Sequence, residues 1–115
     1  MNESVYQKKI KKILDERGVY HEVIWGGGFQ ASGIPDILGV YKGVFLGLEL
    51  KVKSNKPSPL QKAKVNLIRR SGGIGAILWD RVEPLEQILD SIDKFWLDGT
   101  PFEVDRYTIK EDSYD

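Results

Sequence analysis

Residues 35–51 read PDILGVYKGVFLGLELK, and the way this stretch folds decides the architecture. Ile37 to Tyr41 and Val44 to Leu48 are two apolar, β-prone runs separated by Lys42-Gly43, the signature of a hairpin with a tight turn. With Lys42-Gly43 as a two-residue loop, Tyr41 faces Val44, and Asp36 lies directly opposite Glu49. A symmetric four-residue loop keeps this register, whereas a three-residue loop with a bulge shifts it by one. Cβ atoms of directly opposed residues lie roughly 4.5–5.5 Å apart, and like charges there repel. Two facing carboxylates call for a positive partner, and a divalent cation fills that role best.

Strand alternation then sorts the second run. Leu46, Leu48, Leu50 and Val52 share one face, and Gly47, Glu49, Lys51 and Lys53 share the other. Glu49 and Lys51 therefore project together toward the space Asp36 faces. Two acids and an ammonium at a strand end suit metal-assisted hydrolysis, with Mg²⁺ or Mn²⁺ on the acids and the amine beside the attacking water. The plainer reading is an amphipathic edge strand with a solvated, charged face.

Composition narrows the chemistry. The chain has 115 residues, the length of one domain, with seventeen basic and seventeen acidic side chains. It has no cysteine, which excludes disulfides and thiol catalysis, and one histidine, His21, which excludes a multi-His metal site. A metal here must rest on oxygen. For His21 the expectation is a half-exposed strand residue. No apolar run is long enough to span a bilayer and no signal-peptide pattern is present, so a cytoplasmic protein with no membrane partner is expected.

The neutral total hides an asymmetry. Residues 42–70 carry eight Lys or Arg against Glu49 alone, and residues 80–115 carry eleven acids against four bases. A basic middle suits phosphate-backbone contact, although a solvated lysine face on a helix accounts for part of it.

Outward from the hairpin, residues 3–17 read as an amphipathic helix with Tyr6, Ile10, Ile13 and Leu14 on one stripe, closed by Gly18. Glu3 falls on that inward stripe. It is either a site residue or a first-turn acid that suits the helix dipole. Residues 19–25 read as a strand and 26–33 as a flexible loop. Ser58-Pro59-Leu60-Gln61 opens a second helix with a capping box, and Gln61 falls in an inward arc with Leu60, Val65, Leu67 and Ile68. Gly72-Gly73 ends it. Ile74 to Trp79 reads as a buried strand, and Pro84 opens a third helix with Leu85, Ile88, Leu89, Ile92 and Trp96 on one face. Residues 1–97 are expected to form the domain. Residues 98–115 form an acidic tail, loose or adding an edge strand around 102–109, with no assigned role.

The order α-β-β-β-α-β-α with an acidic pair at the hairpin resembles the PD-(D/E)XK, restriction-endonuclease-like core: an α/β fold with a central mixed four-stranded sheet flanked by helices. Gly33-Ile34-Pro35-Asp36-Ile37-Leu38, Leu48-Glu49-Leu50-Lys51, Ser58-Pro59-Leu60-Gln61 and Gly72-Gly73 together resemble its VRR-NUC branch, which includes small stand-alone phage and bacterial proteins. The resemblance implies a divalent-metal-dependent DNA endonuclease, structure-selective on branched DNA such as Holliday junctions, acting as a homodimer. It implies that Asp36, Glu49 and the Leu50 carbonyl bind Mg²⁺ or Mn²⁺, with Glu3 as a further acid. It also implies that Lys51 is the catalytic lysine and Gln61 the glutamine of the following helix. Lys53, Lys56, Lys62 and Lys64 are expected to contact the DNA backbone. The alternatives are a catalytically silent DNA- or protein-binding module and, more remotely, a hydrolase of a non-nucleic phosphoester.

Overall fold

A computed structural model describes residues 1–25 and 32–101, in the order α1 (Glu3–Glu16), β1 (Tyr20–Val23), β2 (Ile37–Tyr41), β3 (Val44–Lys51), α2 (Pro59–Arg70), β4 (Ile74–Trp79) and α3 (Glu83–Asp98). Most of the expected glycine loop, and the candidate strand around 102–109, lie outside the described residues. The expected first strand is shorter than its apolar run, ending at Val23.

Strands pair in the order β1-β2-β3-β4, antiparallel except for the parallel β3/β4 pair. Tyr41 pairs with Val44 and Ile37 with Leu48, the register of a two-residue loop. Lys42 and Gly43 both take positive φ, 47° and 81°, as a type I′ turn requires. Lys42 is an unusual residue for that conformation. Its ammonium bonds Asp93 of α3 at 2.6 Å, and Tyr41 and Arg17 donate to the same carboxylate. This junction ties the turn to α3 and to the end of α1. It also removes Lys42 from the basic surface inferred from sequence, because the turn lies at the far end of the hairpin from Asp36 and Glu49.

The core lies on one face of the sheet, where Leu46, Leu48 and Leu50 meet Tyr6, Ile10 and Leu14 of α1 and Leu85, Ile88, Leu89 and Ile92 of α3. The other face carries α2. Gly47 and Gly75 let that helix sit close: a Cβ on Gly75 would overlap the Val65 carbonyl oxygen, and one on Gly47 would overlap the tip of Ile68. β3 is thus a central strand covered on both faces, not a solvated edge strand.

Two packing expectations fail for one reason, the narrowness of the contact each helix makes. On α2 only Val65 is fully buried, while Leu60 and Leu67 are exposed. At 100° per residue they sit about 140° and 160° around the helix from Val65, and so do not share its face. On α3, Trp96 is 65% exposed, because the last turn extends beyond the buried Leu85–Ile92 segment.

Candidate metal centre at the end of the hairpin

Asp36 is held immediately before β2. Pro35 is buried beside Gly47, and the Ile24 N–H donates to the Asp36 carbonyl at 2.8 Å. Gly33, at φ 84°, brings the preceding turn against the first turn of α2: a Cβ there would lie 2.7 Å from Leu60 Cγ. One segment therefore spans from β1 to the start of α2 and presents the Asp36 carboxylate to β3. Its Oδ2 accepts from the Leu50 N–H at 2.8 Å, in the place a ladder acceptor would occupy.

Glu49 is the one fully buried charged side chain among the described residues, 1% exposed. Its carboxyl is in hydrogen-bonding contact with that of Asp36. Burial, above all, then the Asp36 hydrogen bond and charge, push its pKa up to about 9, with Lys51 opposing and Glu3 adding slightly. Its Oε2 is buried without a partner among the described residues. Buried carboxylate oxygens are normally satisfied, so such an oxygen marks a place for a ligand.

The donor set fits a hard divalent ion. It is all oxygen: two carboxylates and the Leu50 carbonyl. A strand residue directs its N–H and C=O to the same edge, so the carbonyl of Leu50, whose N–H reaches Asp36, opens toward the acids. No group of three or more His, Cys, Asp or Glu forms among the described residues. Glu3 accordingly stands apart, exposed on the first turn of α1, near enough for its charge to reach Glu49. Two carboxylates with remaining positions left to water and phosphate is ordinary for Mg²⁺.

Lys51 lies half-buried, two residues along the same face of β3, paired across to Trp79. Gln61 is half-buried and occupied structurally: its Oε1 accepts from the Ser58 N–H at 2.8 Å while the Ser58 hydroxyl accepts from the Gln61 N–H at 3.1 Å. The capping box expected from sequence is formed. Lys53 and Lys56 are exposed on the connection leading to α2. Lys62 and Lys64 are half-buried and about 160° apart around the helix, flanking Val65 rather than forming one stripe. His21 does not join the site; its Nδ1 is 2.9 Å from the Val19 carbonyl oxygen. Sequence reasoning passed over Asp80, the acid directly after β4 and beside Lys51. An acid at the carboxyl end of a buried parallel strand was the available signal, since α/β sites gather there.

A mixed sheet with this topology and an acidic pair joined to a lysine across a hairpin defines a PD-(D/E)XK-like nuclease. The model of the archaeal Holliday junction resolvase (Hjc) family matches residues 3–106, and the chain belongs to that family. It is therefore a metal-dependent endonuclease directed at branched DNA. Among solved structures, Hjc from Archaeoglobus fulgidus, a Holliday junction resolvase from a hyperthermophile, shares the fold with TM-score 0.51 and 19% identity over 68% of this chain and 69% of that one. No curated protein matches the sequence. No described helix is long and apolar enough to cross a membrane.

Proposed function

We propose that Asp36, Glu49 and the Leu50 carbonyl hold Mg²⁺ or Mn²⁺ for phosphodiester hydrolysis in a four-way or otherwise branched DNA. The observation that carries this reading is the Glu49 carboxyl, buried against a second acid with one oxygen unmet among the described residues. A bound divalent ion supplies charge neutralisation at the phosphate and a more acidic water. The protein's own residues do the rest. Lys51 orients the attacking water or balances the charge that builds on phosphorus, and the metal-free Glu49 proton must leave before its carboxylate can ligate. Gln61 fixes the start of α2 through its cap and is left with its side-chain NH₂ group to offer the substrate. Glu3 adds negative charge at the mouth of the site. Lys53, Lys56, Lys62 and Lys64 contact the backbone without regard to sequence, so affinity falls steeply with salt.

Residues 1–97 constitute the catalytic domain in this reading, and residues 98–115 carry no assigned role. A chain of this size presents one site, so paired cuts across a junction require a homodimer. The resemblance of the four sequence blocks to the VRR-NUC branch supports a position near that branch within the superfamily, and the enzyme is read as cytoplasmic. Cleavage of four-way junctions, flaps, linear duplex and single strands with Mg²⁺ or Mn²⁺ tests the proposal. Wild-type protein should cut branched DNA, whereas Asp36→Ala and Lys51→Ala should not cut yet should still bind it in EDTA. Binding without cutting by the wild type makes the protein a silent module and ends the catalytic reading.

A further inference from the structure

Three non-glycine residues take positive φ among the described residues: Lys42, Lys53 and Asp80. The turn explains Lys42. The other two are bonded to each other, at the catalytic end of the sheet. Asp80 Oδ2 accepts from the Lys53 N–H at 2.7 Å, and the Asp80 N–H donates to the Lys51 carbonyl at 3.2 Å. One residue thus brackets Val52 and fixes the backbone on both sides of it. Trp79 extends the hold, its Nε1 donating to the Asn55 carbonyl at 2.9 Å. Unusual backbone conformations persist where the surroundings over-determine them, and they cluster at functional sites.

The sheet explains why a hold is needed here. Pairing of β2 with β3 ends at Ile37 and Leu48, whereas pairing of β3 with β4 runs on to Lys51 and Trp79. Beyond Leu50, whose N–H is taken by Asp36, the strand carrying Lys51 has a neighbour on one side only among the described residues. The ladder ends at Lys51 itself, and the next backbone contacts are those made by Asp80. The remaining oxygen of Asp80 is buried with no donor among the described residues, a cost that anchoring a surface loop for stability alone would not require.

We infer that Asp80 is a positioning residue for the cleavage reaction, locking the exit of β3 so that the Lys51 ammonium stays aimed at the Asp36–Glu49 centre. Its action goes through Lys51. The inference rests on the proposed role of Lys51. It differs from loop stabilisation because it separates the rate of cutting from the binding of DNA.

Two substitutions separate the hydrogen bond from the backbone conformation. Asp80→Asn keeps an acceptor for Lys53 and tolerates positive φ, and Asp80→Gly keeps the φ while losing the acceptor. Single-turnover cleavage of a four-way junction at saturating protein reads the rate, binding in EDTA reads affinity, and thermal unfolding sets a temperature at which every variant is folded. Asp80→Gly should cut at least about tenfold more slowly with junction affinity within about twofold of wild type, and Asp80→Asn should recover most of the rate. Asp80→Gly cutting at the wild-type rate overturns the inference and leaves the nuclease reading standing. So does a rate loss accompanied by an equal loss of binding. A wild-type protein that leaves the junction uncut removes the nuclease reading, and this inference with it.

Discussion

Replacing Glu49 with glutamine probes the centre without using catalysis as the readout. In the metal-free protein, burial first and Asp36 second raise the Glu49 pKa from 4.5 to about 9. Between those values the folded protein keeps a proton that the unfolded chain has released, so the folded state binds more protons. Stability must therefore fall as pH rises through this window, by about 1.4 kcal/mol per pH unit. From pH 5.5 to 8.5 the wild type should lose about 4 kcal/mol that Glu49→Gln does not lose, because the amide never ionises and fills the same space. Urea unfolding of both proteins in EDTA at the two pH values measures this, with titrations elsewhere cancelling in the difference. Mg²⁺ at pH 8.5 should recover about 2.7 kcal/mol of that loss for the wild type at one hundred times its dissociation constant and add little to the variant. Stability curves for the two proteins that run parallel in EDTA would refute the buried, protonated acid on which the metal centre is built.

Asp93→Asn should destabilise by about 1 kcal/mol at neutral pH, since the carboxylate serving Lys42, Tyr41 and Arg17 is partly exposed and screened. Lys42 first, then Tyr41, hold its pKa down to about 2. This contribution is therefore complete above about pH 4 and lost as pH falls toward 2, readable in urea unfolding as convergence with the variant. Gly75→Ala should cost about 1–3 kcal/mol because its methyl meets backbone at Val65. Gly47→Ala should cost less, because it meets the flexible tip of Ile68; thermal unfolding ranks the two.

The hairpin was legible because its determinants are local. A Gly-containing pair between two β-prone runs set the register, and that register alone opposed Asp36 to Glu49. The cap of α2 is equally local, since Ser58, Pro59 and Gln61 satisfy one another within a single turn. The buried face of β3 followed from alternation, and the α1 stripe from Tyr6, Ile10 and Leu14.

Tertiary structure decided what depends on distant partners. Whether Leu60 and Leu67 or Val65 would face the sheet depended on how closely α2 could approach, which Gly47 and Gly75 determine from two other elements. The depth of Glu49 depended on β4 joining on one side and α2 lying above, neither of which the periodicity of β3 specifies. The bonds from Asp80 to Lys51 and Lys53 form only because parallel pairing sets Trp79 beside Lys51, twenty-eight residues away along the chain. Periodicity and turn chemistry act through neighbours in sequence. The surroundings of a buried acid are supplied by elements that meet only when the sheet closes.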